Sequence, residues 1–87
     1  MSNSQAEISQ IIKQEIASIL SVQPAQVDEN TDIDRFALNS SSVVSLVGIL
    51  EEHLDMPLSP SLFFEYPTIA KTAEFLAKQV ARQQEIA

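Results

Sequence analysis

Isoleucines recur at helical spacing early in the chain. Ile8, Ile12, Ile16 and Ile19 lie along one stripe, and Ile11 and Leu20 widen it. Ser4 stands before the stripe and Glu7 follows three positions later, the pattern of a capping box. A first helix is therefore predicted to open at Ser4. Its β-branched residues lower helix propensity slightly, so burial of the stripe must supply most of its stability. A second helix is predicted from about Ser40 to Leu54. Val43, Val47, Leu50 and Leu54 share one face with Leu46 beside them, and Ser41, Ser45, Gly48 and Glu52 lie opposite. Val44 falls on the flank and is expected to be partly exposed.

The stretch "LSPSLFFEYP" predicts a short third helix, with Ser59 as its cap, Pro60 at the first helical position and Pro67 as its stop. Leu62, Phe63 and Phe64 make it apolar for its length. The fourth helix is predicted to start after Thr68 and to bury Ile69, Ala73, Leu76 and Val80. The tail "ARQQEIA" reads as a fraying end or as the start of a linker. Between the first two helices runs a long connection, Ser21 to Asn39, containing Pro24 and the acidic string "DENTDID". Connections of this length inside a small domain are uncommon. Val27, Ile33 and Phe36 are its expected anchors, and it is read as a crossover between two nearly parallel helices. No segment alternates as a strand would. The expectation is an all-α fold: a small four-helix bundle of three long helices and one short, with a long first loop.

Composition narrows the function. With 87 residues, the chain makes one domain spanning 1–87, with a core of about 5–82 and flexible ends. An apolar fraction of 45% marks it as globular rather than disordered. A formal net charge of −7 argues against nucleic acid and for partners with basic patches. The absence of cysteine excludes disulfides, thiolate metal sites and a protein thiol nucleophile. "MSNSQAEISQ" has no basic-then-apolar leader, and no apolar run reaches the length of a membrane span, so a soluble, cytoplasmic protein with no membrane partner is expected.

Side-chain catalysis finds little support. His53 is the one histidine, and near the end of the second helix it reads as a surface residue favoured by the helix dipole. Glu51 and Glu52 are adjacent and diverge on a helix, so they form no tight acid pair. The acidic loop lacks the glycine and terminal glutamate of a calcium loop, and no metal site is expected. Three serines remain, Ser40 to Ser42. A serine at a helix start is usually a cap. The same position also tolerates a phosphate best, because free N–H groups and the positive dipole end point there. The two roles do not exclude each other. Gly48, the one glycine, costs about 1 kcal/mol inside a helix relative to alanine. A close approach by a neighbour or partner is one explanation and drift is the other.

Two motifs at a set distance then carry a resemblance: Phe36, Ala37, Leu38, Asn39, Ser40, Ser41 before the second helix, and Phe63, Phe64, Glu65, Tyr66, Pro67, Thr68 before the last, followed by Ile69, Phe75 and Leu76. They resemble the Leu-Gly-x-Asp-Ser-Leu and Phe-Phe-x-Tyr-Pro-Thr motifs of acyl and peptidyl carrier proteins, above all the carrier domains of polyketide synthases. The resemblance implies that a phosphopantetheinyl transferase moves 4′-phosphopantetheine from coenzyme A onto Ser40. It implies that the chain is a monomeric, non-enzymatic shuttle that holds acyl groups as thioesters. Its partners would then be the transferase, a ketosynthase, an acyltransferase or acyl ligase, and other synthase enzymes. An aminoacyl, peptidyl or fatty-acyl carrier, and an interaction module of the same fold without the arm, are the alternatives. A serine hydrolase is disfavoured, for no nucleophile-elbow pattern or base accompanies Ser40.

The sequence departs from the family pattern in several places. Asn39 stands where the family has aspartate, a carboxylate that helps the transferase dock, though asparagine can still cap the helix. Ala37 stands for a common glycine, Ser41 for an apolar contact residue and Ser45 for a frequent glutamate. Leu46 occupies the position where carriers used in β-branching show tryptophan, so that specialisation is not indicated. The resemblance places partner recognition on Ser41, Val44, Gly48, Glu51 and Glu52, with shape outweighing charge near Ser40.

Overall fold

Ser4 opens the first helix as its spacing to Glu7 predicts: the Ser4 Oγ accepts a hydrogen bond from the Glu7 N–H at 3.3 Å. In the computed structural model, which describes residues 4–36 and 38–86 (83–86 as helix backbone), α1 runs Gln5–Leu20, α2 Ser40–Leu54, α3 Leu62–Glu65 and α4 Ile69–Ile86. Residues 1–3, Ala37 and Ala87 lie outside the described residues, and with them part of the expected flexible ends. No described residue belongs to a strand, apart from a single isolated bridge between Asp32 and Thr68. The predicted all-α architecture of three long helices and one short is thus observed.

Ile8, Ile12 and Ile16 of α1 are fully buried. Each such side chain contributes about 1.5–3 kcal/mol by leaving water. They pack with Leu46, Leu50 and Leu54 of α2, Leu62 and Phe63 of α3, and Ile69, Ala73, Leu76 and Val80 of α4 in one core. Ile19 departs from the predicted stripe and is 41% exposed. The apolar face has rotated by the last turn, where Ala17 is buried in its place. There α1 ends at Ser21, which takes a left-handed conformation with φ 59°, and the Val22 N–H donates to the Ala17 carbonyl at 2.9 Å.

The long connection is more ordered than its composition implies. It contains two 3₁₀ turns, Pro24–Gln26 and Ile33–Phe36. Val27 and Ile33 are buried as anchors, and Phe36 packs against the core while partly exposed. Two backbone bonds tie the connection to the start of α4: Ile33 N–H to the Pro67 carbonyl at 2.7 Å, and Ala70 N–H to the Glu29 carbonyl at 3.0 Å. A side-chain clamp ties it to α1. The buried Ser9 hydroxyl donates to Glu29 Oε2 at 2.8 Å, and Lys13 Nζ approaches the same oxygen at 3.4 Å. The Ser9 hydrogen bond, followed by the Lys13 charge, holds the Glu29 carboxyl below its ordinary value of 4.5.

A carboxylate whose folded pKa is depressed stabilises the fold above its unfolded pKa, and that contribution is lost as pH falls through the lower folded value. Ser9→Ala is therefore expected to destabilise the chain by about 1 kcal/mol at neutral pH, the exposure of Glu29 keeping the effect small. In urea titrations at stepped pH, the gap between variant and wild type should close below the ordinary carboxylate range.

The "FFEYPT" stretch joins α3 to α4 through backbone-directed contacts. Tyr66 closes α3 with its N–H on the Leu62 carbonyl at 2.9 Å, and its ring stacks on Phe75 with centroids 4.3 Å apart. The Thr72 hydroxyl, fully buried, donates to the Tyr66 carbonyl at 2.9 Å. Thr68 caps α4 as predicted, its Oγ1 accepting from the Lys71 N–H at 3.2 Å. One expectation is corrected here. Ser59 and Pro60 do not start α3. They form a preceding turn closed by the Leu62 N–H on the Ser59 carbonyl at 3.0 Å, because Pro60 suits that corner as well as it suits a helix start. The segment "ARQQEIA" begins within α4, which continues through Ile86.

Gly48 has no close neighbour. A Cβ built there meets nothing within 4 Å, so no contact inside the chain requires the glycine. Gly48→Ala is expected to raise stability by about 0.5–1 kcal/mol, since alanine removes backbone freedom from the unfolded chain at no steric cost. A higher urea midpoint with an unchanged slope would show it.

Candidate functional site

The three serines of "NSSS" separate once the helix start is visible. Asn39, not Ser40, is the N-cap: its Oδ1 accepts from the Ser42 N–H at 2.7 Å, and its own carbonyl accepts from the Val43 N–H at 3.1 Å. Of the two capping readings the sequence allows, a serine of this run or Asn39, the structure bears out Asn39. Asparagine and serine cap about equally well, and the residue with extended backbone, here Asn39 at φ −84° and ψ 171°, takes the position. Ser42 is half-buried, and its amide serves the cap. Ser40 is the first residue of α2. Its side chain is exposed and forms no hydrogen bond with a described residue.

Ser40 borders a groove of about 260 Å³, lined by Asp34, Leu38, Val43, Val44, Pro60 and Phe64. Three elements build it: the second 3₁₀ turn, the start of α2 and the turn into α3. Val44 is 59% exposed and Phe64 79% exposed, so two large apolar side chains stand open to solvent beside the serine. The volume lies just below the roughly 300–1,000 Å³ of ligand pockets, and the two exposed side chains form an apolar ledge along the groove. An exposed hydroxyl at a helix start, with an apolar ledge beside it, accommodates a phosphate ester followed by a partly apolar chain.

The other predicted recognition residues lie down α2. Ser41 and Glu52 are exposed, as is Ser45, and Gly48 is half-buried with open space before it. Glu51 is half-buried and has an internal partner: its Oε2 accepts from the Leu58 N–H at 2.8 Å, pinning the connection between α2 and α3. His53 is exposed in the last turn of α2, as expected. Among the described residues, no cluster of ligating side chains could hold a metal, and no helix is long and apolar enough to cross a membrane. The sequence reading named Leu38 only as a member of the first motif and did not single out Asp34; both line the groove with Ser40. Asp34 was available only as one charge among many in "DENTDID", since its placement depends on the 3₁₀ turn.

Residues 10–76 match the family model described as "Phosphopantetheine attachment site". The chain belongs to this family of phosphopantetheine-binding carriers. The carrier is 34% identical over 79 residues to polyketide synthase PksL of Bacillus subtilis (strain 168), an alignment covering 91% of the carrier and 2% of that protein. The carrier thus spans a small fraction of the length of the curated relatives it matches. Among solved structures, it superposes on a free-standing peptidyl carrier protein of Acinetobacter baumannii with a TM-score of 0.85, at 30% identity, covering 91% of the carrier and 99% of that chain. It superposes on Asl1650 from Anabaena sp. PCC 7120, an acyl carrier protein described as having a variant phosphopantetheinylation-site sequence, with a TM-score of 0.82 at 36% identity, covering 88% of each. The predicted fold and family are borne out, and with them a covalently attached 4′-phosphopantetheine as the cofactor.

Proposed function

We propose that Ser40 is the residue that carries the arm, and that the carrier shuttles acyl groups in a polyketide or mixed peptide–polyketide pathway without catalysing a reaction itself. Ser40 alone of the three serines lines the groove beside Val44 and Phe64, and that supports it above its neighbours. Asn39 does the capping, so the Ser40 hydroxyl is exposed at the helix start with no hydrogen bond to a described residue. In priming, the Ser40 oxygen forms a bond to the pantetheine-side phosphorus of coenzyme A. The pyrophosphate bond breaks, adenosine 3′,5′-bisphosphate leaves and the serine proton passes to the transferase. The arm supplies a terminal thiol on which acyl groups are held as thioesters. The chain's own residues present that attachment point. α2 displays Ser41, Val44, Gly48 and Glu52 to the transferase and to ketosynthase, acyltransferase or ligase partners, and Val44 and Phe64 offer them an apolar contact.

The polyketide assignment is supported by the similarity to PksL, and an aminoacyl or peptidyl cargo by the Acinetobacter peptidyl carrier. Priming with acetyl-coenzyme A in place of coenzyme A tests the carrier role. An acyl-arm mass increase whose acyl part is released by neutral hydroxylamine is expected. A chain that takes up no mass with any transferase contradicts the proposal.

A further inference from the structure

Asn39 is an amide spent on the helix cap, and the first turn of α2 contains no acidic residue. The immediate surroundings of Ser40 in sequence are therefore uncharged, in a chain with net charge −7. The groove tells otherwise. Among the described residues, Asp34 is the one charged side chain that lines it with Ser40. Asp34 is exposed in the 3₁₀ turn Ile33–Phe36, and its carboxylate forms no ion pair or hydrogen bond with a described residue. Three other acidic residues are engaged in the fold: Glu29 holds Ser9 and Lys13, Glu51 holds the Leu58 amide, and Glu65 accepts from the Ser61 hydroxyl.

An enzyme that primes Ser40 must bring the pyrophosphate of coenzyme A to this ledge, and it holds that polyanion with cationic groups. Those groups arrive beside the one free carboxylate of the groove. Resting on the proposed role of Ser40, we infer that Asp34 is the residue by which the cationic rim of the priming enzyme recognises this carrier, supplying from the loop the negative charge that Asn39 lacks. Its neighbours Val44 and Phe64 provide the apolar contact, and Asp34 sets orientation and encounter rate.

Initial priming rates, read by intact mass with coenzyme A and a broad-specificity transferase, test this. Asp34→Asn should slow priming about tenfold at low ionic strength, with the gap narrowing as added salt shortens the screening length. Asp34→Glu should keep most of the rate, because charge rather than shape is read. Asp32→Asn, two residues away in sequence and outside the groove, should stay within about twofold of wild type. Adding Asn39→Asp to the Asp34→Asn chain should restore the rate by returning a carboxylate to the serine's side. Equal rates for wild type and Asp34→Asn overturn the role of Asp34 and leave Ser40 as the attachment site. Slowing of Asp34→Glu to the level of Asp34→Asn also overturns it, since the loss would then be one of shape. A wild type that is never primed overturns the role of Ser40, and this inference with it.

Discussion

Ser40→Ala is expected to abolish attachment of the arm while leaving the fold intact. The side chain is exposed and contributes no hydrogen bond to the bundle, and alanine is a better helix former than serine. The variant should therefore unfold within about 0.5 kcal/mol of wild type. Its intact mass should stay unchanged after incubation with coenzyme A and a transferase under conditions that convert wild type fully. The matched controls are Ser41→Ala and Ser42→Ala. Both keep the Ser40 hydroxyl and the Asn39 cap, whose acceptor is reached by the Ser42 backbone amide rather than its side chain. Both should be primed, with Ser41→Ala altering the rate if that exposed position meets the transferase. This pairing of full loss at one serine and retention at its neighbours separates covalent attachment from a general disturbance of the helix start.

Leu50→Ala should have the largest effect on stability. Leu50 is fully buried and sits in the core with Ile12, Ile16, Leu46, Leu62 and Leu76. Truncating a buried leucine costs about 2–5 kcal/mol, from lost transfer energy and from the cavity left behind. Small domains have little to spare, since stabilities of about 5–15 kcal/mol describe ordinary proteins and short chains fall toward the lower end. The urea midpoint should drop steeply, and a large part of the chain should be unfolded at modest urea. Priming should fall in proportion to the folded fraction and recover at lower temperature or with osmolyte, which would distinguish it from the loss in Ser40→Ala. Leu50→Met, which nearly conserves volume, should cost less than about 1.5 kcal/mol.

The long periodic stripes made most of this fold readable before any coordinates. Ile8, Ile12 and Ile16, then Leu46, Leu50 and Leu54, then Ile69, Ala73, Leu76 and Val80 all lie where helical spacing puts them. Caps at Ser4 and Thr68 were equally visible, because one side chain and one amide three residues on suffice to make them. The failures have a common source in contacts that no local pattern encodes. Whether Asn39 or Ser40 caps α2 depends on which residue has extended backbone, and both residue types suit the position. Ile19 satisfies the spacing of its helix, yet the neighbours that would cover it lie elsewhere. α3 has one turn, so Leu62 and Phe63 reach the core while Phe64 must face outward. The clamp of Ser9 on Glu29 joins residues twenty apart in sequence, and the pairing of Glu51 with the Leu58 amide depends on the path of the chain after Asp55. The site followed the same rule. Ser40, the proposed attachment point, is singled out by the first motif, whereas Asp34 entered the groove only through the folding of the acidic loop.

The central claim is that one serine of three, Ser40, bears the arm. Peptide-level mass spectrometry of the primed wild-type chain tests it most directly, by fragmenting the peptide that spans Asn39 to Val44. The account predicts that the phosphopantetheine mass resides on Ser40 alone, with Ser41 and Ser42 unmodified. Fragments that place it on Ser41 or Ser42 would contradict the account.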